Sequence, residues 1–135
     1  LMGLDLGTKT IGLAVSDTMF KIATPLETIK RSKFTKDTQS LRAIEETHNI
    51  GALVIGLPLN MDGSEGPRVQ ASRAFARNLL QQKDQPIVFW DERLSTSAVT
   101  RTLIDADMSR AKRADLVDKM AAGYILQGVL DLLNN

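Results

Sequence analysis

Carboxylates at three places along this 135-residue chain are the residues best suited to chemistry. Asp5 stands inside Leu4-Asp5-Leu6-Gly7-Thr8, an apolar run where a charge is costly to bury unless it is paired or bound to a cation. Asp91-Glu92-Arg93 directly follows the apolar run Ile87 to Trp90, and strand ends are where ligands gather in open α/β sheets. Asp118 is flanked by Val117 and Met120, at the border of an apolar helical stripe, with Asp115 three residues earlier. Each has a structural alternative. An Asp-x-Gly aspartate can close its own turn, an acidic pair after a strand can be a solvated cap, and an acid such as Asp115 in a first helical turn suits the macrodipole. Brought together, two carboxylates about 4 Å apart would repel by roughly 4 kcal/mol at an effective dielectric near 20, so a cluster calls for a bridging cation. Oxygen ligands alone suit Mg²⁺ or Mn²⁺, and two such ions serve phosphodiester hydrolysis by activating a water and stabilising the leaving oxygen.

Other chemistries are excluded or weakly supported. The chain has no cysteine, which removes disulfides, cysteine-bound zinc, iron–sulfur clusters and thiol catalysis. Asp-x-Gly-Thr also opens the phosphate loop of actin-like kinases, but those clamp nucleotide between two domains of about 100–200 residues each, more than this chain holds. His48 ends a polar helix and is expected at its last carbonyls. Trp90 and Tyr124 read as core residues, and with aromatics at only 4% a stacking-based single-strand binder is not expected. The net charge is +1, too small for a protein that coats nucleic acid by bulk charge. The cations are nevertheless clustered: Lys30, Arg31, Lys33 and Lys36 form one group, and Arg110, Lys112, Arg113 and Lys119 another. Both groups are solvated loop surfaces or phosphate contacts.

The elements that must position these residues follow from periodicity. Leu1 to Leu6 and Ile11 to Val15 read as an antiparallel hairpin around Gly7-Thr8-Lys9-Thr10, with a third strand within Ala23 to Ile29. Thr35 to His48 reads as a polar helix with a thin stripe through Leu41 and Ile44. Ala52 to Ile55 is a short strand covered on both faces. Gly56 to Pro67, with three glycines and two prolines, is expected to be a loop. Pro67 then opens a helix that buries Ala71, Phe75, Ala76 and Leu79. Ile87 to Trp90 is a strand, Ser95 or Thr96 caps a helix to about Ile104, and a last helix from about Ala114 buries Val117, Met120, Ala121, Tyr124 and Ile125. The expected fold is α/β, one domain over residues 1–135. Three antiparallel strands followed by αβ units make a mixed five-stranded sheet with helices on both faces. No apolar run reaches the roughly 20 residues of a membrane span and no signal-peptide pattern is visible, so no membrane association and a cytoplasmic location are expected.

Four motifs in order resemble one family. Asp5-Leu6-Gly7-Thr8-Lys9-Thr10-Ile11-Gly12 with Ala14-Val15-Ser16-Asp17 resembles the first motif of the YqgF/RuvX family, small relatives of Holliday-junction resolvases with a ribonuclease H-like fold. Gly56-Leu57-Pro58 with Asn60, Asp62-Gly63 and Ser64 is similar to its central loop, and Asp91-Glu92-Arg93-Leu94-Ser95-Thr96 to its third signature. Lys112-Arg113 leading to Asp118, Ala121 and Ala122 resembles its last. The resemblance implies a metal-dependent nuclease that matures the 5′ end of pre-16S ribosomal RNA, with four-way DNA junction cleavage as the alternative. It implies Asp5, Glu92 and Asp118 as catalytic, metal-binding acids, and Lys9, Arg93, Lys112 and Arg113 as nucleic-acid contacts. Where the family often carries a basic residue this chain has Thr10, leaving Lys9 as the cation of that turn. A non-catalytic module that binds nucleic acid or docks on ribosomal machinery needs only the basic patches. Monomer and homodimer are both open, and a resolvase that cuts two strands needs a symmetric dimer.

Overall fold

The computed structural model describes the backbone of residues 1–94 and 110–135, and the side chains of residues 1–94 and 119–135. Its elements are β1 (Met2–Leu6), β2 (Thr10–Ser16), β3 (Ala23–Lys30), α1 (Phe34–Thr47), β4 (Leu53–Leu57), α2 (Pro67–Gln82), β5 (Ile87–Asp91), a 3-10 turn (Glu92–Leu94) and α3 (Arg110–Leu133). The five strands lie in the order β3-β2-β1-β4-β5. β1, β2 and β3 are antiparallel, whereas β4 joins β1 and β5 joins β4 in parallel. This is the mixed sheet expected from the sequence. The expected helix from Ser95 or Thr96 to Ile104 lies outside the described residues.

Alternation along the strands divides the core into two layers. Met2, Leu4 and Leu6 of β1, with Leu53 and Ile55 of β4, join a cluster with Leu41 of α1 and Phe75 and Leu79 of α2. Val54 and Ala14 point to the other face and pack with Ala122, Ile125, Leu126 and Leu130 of α3. Gly3 lets α3 settle onto β1. A Cβ there would stand 2.8 Å from Leu126 Cβ and 2.9 Å from the Ala122 carbonyl oxygen, too close for any larger residue. Trp90 lies against Gly128 in the same way, its ring 2.7 Å from where a Cβ would be.

The direction of α3 matters for the site. Its last turn is tied to the loop after β2, since Asn134 Nδ2 donates to the Phe20 carbonyl at 2.6 Å. That loop begins where Ser16 pairs back to Leu1. With Ala122 and Leu126 over Gly3, α3 therefore runs antiparallel to β1, and its earlier turns lie toward the Asp5 end of that strand.

Three boundaries differ from expectation. Gly56 and Leu57 belong to β4, because the paired strand continues through them into the pairs Gly56↔Trp90 and Leu57↔Asp91; the loop begins at Pro58. Ala71 is exposed, and α2 instead buries Val69 and Ser72 with Phe75, Ala76 and Leu79. At about 100° per residue these five share one face, and Ala71 lies roughly a quarter turn away. The final helix is already present at Arg110, the first described residue there and one turn before Ala114, through a stretch of good helix formers. Among the described residues no helix is long and apolar enough to cross a membrane.

Candidate active site

Asp5 is buried, with 7% of its surface exposed, at the end of a central strand. It shares parity with Gly3, so it faces the α3 layer and not the α1/α2 core. Its cross-strand partner in β2 is Gly12, which has no side chain to fill the space beside it. On its other side, Asp5 and Gly56 are the next positions after the registered pair Leu4↔Ile55. The carboxylate is therefore flanked by glycine in both neighbouring strands, on the sheet face that α3 covers.

Glu92 reaches the same face from the end of β5. Gly56 pairs with Trp90, and Glu92 follows two residues later in the 3-10 turn. A Cβ built on Gly56 would stand 3.0 Å from Glu92 Cγ and 2.5 Å from Ile125 Cδ1. Asp5 and Glu92 thus border one glycine from opposite sides, on one face. Among the described residues no group of three acidic or histidine side chains surrounds a metal position. The side chain of Asp118 lies outside those residues, as do those of Asp115, Lys112 and Arg113. The α3 backbone carries Asp118 one turn before Ala122, toward the Asp5 end of β1. Carboxylate donors without nitrogen or sulfur, one of them buried, fit a hard divalent cation.

Asp91 and Arg93 do something different from Glu92. Arg93 Nη2 donates to Asp91 Oδ2 at 2.7 Å, and Nε bridges both carboxylate oxygens at 3.1 Å. Arg93 Nη1 reaches across to the Met61 carbonyl at 3.1 Å, with its guanidinium against Gly63. The guanidinium holds the Asp91 carboxyl below the usual carboxylate range, chiefly through their hydrogen bond. Arg93 is thus a latch between the end of β5 and the central loop, with two of its five N–H groups left over. The loop itself is ordered: Asp62 accepts from the Ser64 amide at 2.9 Å and hydroxyl at 2.6 Å, and Asn60 Nδ2 donates to Ser64 Oγ at 3.0 Å. Gly63 takes φ +87, which suits glycine.

Removing the latch has an expected signature. In Arg93→Ala, the melting temperature should change little, because the Asp91 pair is partly solvated. Amide exchange in residues 60–64 should quicken several-fold as the loop loses its tether. In the wild type the loop should stay protected from pH 7 down through the ordinary carboxylate range. A depressed carboxyl contributes above its unfolded value and is lost only as pH falls through the lower, folded one. Loop exchange that is unchanged in Arg93→Ala would show that Asn60, Asp62 and Ser64 suffice.

Lys9 is exposed in the β1–β2 turn, and its carbonyl accepts from the Arg31 amide at 2.9 Å. His48 caps α1 through its backbone N–H, as expected for a helix end, and lies away from the acids. One residue that sequence reasoning passed over is Arg68. It sits in the first turn of α2, where no acid is present, and Nη2 donates to the Leu6 carbonyl at 3.2 Å. The signal was available, since a cation at a helix N-terminus opposes the macrodipole and implies another reason for being there. Gly56 was also missed, its neighbours in space being unknowable from its neighbours in sequence.

The sequence profile of the RuvX family, described as Holliday junction resolvase, matches residues 1–132. A protein of Methylocella silvestris named "Putative pre-16S rRNA nuclease" is 68% identical over 98% of this chain and 83% of its own length. One of the same name from Paramagnetospirillum magneticum is 63% identical over 97% of this chain and 84% of its own. Among solved structures, Thermus thermophilus RuvC in complex with a Holliday junction substrate aligns with a TM-score of 0.53 at 13% identity, covering 99% of this chain and 94% of that one. Fowlpox virus resolvase with its junction DNA aligns with a TM-score of 0.53 at 13% identity, covering 99% and 98%. At such identities these two show the fold, which is the ribonuclease H-like arrangement of RuvC-type resolvases. The match over residues 1–132 and identities of 63–68% across nearly the whole sequence agree with the four motifs, and the chain belongs to the RuvX family.

Proposed function

We propose that this protein is a divalent-metal-dependent nuclease, a hydrolase of phosphodiester bonds, which processes the 5′ end of pre-16S ribosomal RNA in the cytoplasm. The observation that carries the reading is the pair Asp5 and Glu92, which border Gly56 on the face where α3 packs. The names of the 63–68% identical relatives supply the RNA. Asp5, Glu92 and Asp118 would hold Mg²⁺ or Mn²⁺, which when bound supplies water activation and charge stabilisation at the scissile phosphate. The chain's own part is to preset the carboxylates. Asp5 is fixed by the paired strand and Glu92 by the turn that Arg93 latches, so little reorganisation is needed when charge develops. Lys9, Lys112, Arg113 and the spare N–H groups of Arg93 would contact phosphates. A single cut in RNA needs one active site, so a monomer suffices, whereas junction resolution needs two.

The test is a side-by-side assay on precursor 16S RNA and a four-way DNA junction, each with Mg²⁺, with Mn²⁺ and with chelator. Metal-dependent trimming of the RNA with an intact junction is the expected result. Symmetric junction cleavage would make the protein a resolvase, and inertness toward both would leave the binding-module reading.

A further inference from the structure

Two arginines apart from Asp5 and Glu92 converge at the same strand end. Arg31 Nη1 donates to the Gly7 carbonyl at 2.6 Å and Arg68 Nη2 to the Leu6 carbonyl at 3.2 Å, on the two residues that follow Asp5. Arg31 and Arg68 both line one cleft of ≈ 70 Å³, with Gly7, Thr8 and Ser72. Among the described residues the ion pairs are Arg42–Glu45, Arg73–Glu65, Lys83–Glu45 and Arg93–Asp91, so neither Arg31 nor Arg68 has a carboxylate partner. Two cations drawn to neutral carbonyls around one cleft repel each other and await an anion.

Both are held in place. Arg31 lies over the Phe75 ring, 5.6 Å from its centroid. Its chain segment is pinned because the buried Asp37 accepts from the Ser32 amide at 3.0 Å. Arg68 is in the first turn of α2, where Ser72 Oγ donates to its carbonyl at 3.1 Å. Among the described residues each makes one side-chain hydrogen bond with its five N–H groups, leaving the rest of the fork to grip a tetrahedral oxyanion.

We propose that Arg31 and Arg68 form a phosphate-binding site that holds a flanking, non-scissile phosphodiester of the substrate strand. That the phosphate belongs to a nucleic acid rests on the nuclease reading above; the anion site itself does not. Leu6 and Asp5 are adjacent but face opposite layers, so a strand crossing the end of β1 passes from the acids, over Gly7-Thr8, into the cleft. The two arginines set where along the strand the cut falls, by fixing a phosphate beside the one at Asp5.

The test uses inorganic phosphate and then RNA. In a titration with sodium phosphate at constant ionic strength, the Gly7 and Thr8 amide resonances should shift and saturate in the millimolar range. They should stay still in Arg31→Gln/Arg68→Gln, whose phosphate-free spectrum reports that the fold persists. No shift in the wild type overturns the site outright, and the arginines then only brace the turn. Binding of a short single-stranded RNA without divalent metal should weaken about tenfold for each arginine lost. The double variant's log–log salt slope should be shallower by about 1.4, at roughly 0.7 per contact. Arg31→Lys/Arg68→Lys, which keeps the charges without the forks, should recover part of that affinity. Unchanged RNA affinity in the double glutamine variant overturns the substrate assignment even if the protein cleaves RNA. Phosphate binding by a protein that cleaves nothing supports the site and counts only against the nuclease reading.

Discussion

Asp5→Asn is expected to abolish cleavage, by about three orders of magnitude or more, while leaving the protein folded. The substitution keeps size and shape and removes the negative charge that would hold the metal. Asp5 is buried on a face whose neighbouring strands present glycine, so an amide of the same shape meets no new steric demand. If the acids form one site as proposed, removing one carboxylate relieves repulsion in the metal-free protein, and the melting temperature should be unchanged or slightly raised, as at sites kept for function rather than stability. Metal gives an independent readout. A ligand that binds the folded state raises the melting temperature by mass action, so Mn²⁺ should stabilise the wild type and leave Asp5→Asn unmoved. Unfolding of Asp5→Asn would make Asp5 a structural turn residue. A Mn²⁺ shift that persists together with full cleavage would move the site elsewhere.

Much of this arrangement was legible in the sequence, because it depends on local pattern. The hairpin around Gly7 to Thr10, the buried run that became β4, the Pro67 helix start and the carboxylate after Trp90 each have a local signature of period or punctuation. The errors fall where tertiary contacts decide. Gly56 resembles a loop residue beside Leu57-Pro58, yet its pairing with Trp90 of β5 keeps it in the sheet. Ala71 follows the apolar pattern, yet the helix phase that seats Val69 and Phe75 turns it outward. Arg93 reads equally well as a partner for a carboxylate or for a phosphate. Only the position of Met61, 32 residues away, shows that it spans the gap between strand and loop. The acids could be named from motif order, but that Asp5 and Glu92 both border Gly56 follows from register.

That glycine carries the second large expected effect. Gly56→Ala places a methyl 2.5 Å from Ile125 Cδ1 and 3.0 Å from Glu92 Cγ, so both must move. Ile125 is fully buried, so its side chain yields only by disturbing the packing of α3, at about 1–3 kcal/mol. Glu92 lies in a 3-10 turn and yields by moving away from Gly56 and Asp5. A displacement near 1 Å at a reacting centre costs about a hundredfold in rate, so kcat/KM should fall by that order. Stability and activity separate in the double variant Gly56→Ala/Ile125→Val. Valine removes Cδ1, the closest of the three obstacles, and leaves only the milder contact with residue 125 Cγ at 3.1 Å, so the pair should be more stable than the sum of the single changes, with a coupling of at least about 0.5 kcal/mol. The contact with Glu92 Cγ survives that repair. Cleavage should therefore stay low in the double variant although its melting temperature recovers, and Ile125→Val alone should cut normally. If activity returned in step with stability, Gly56 would matter to α3 packing only, and Glu92 would owe its position to the turn that Arg93 latches.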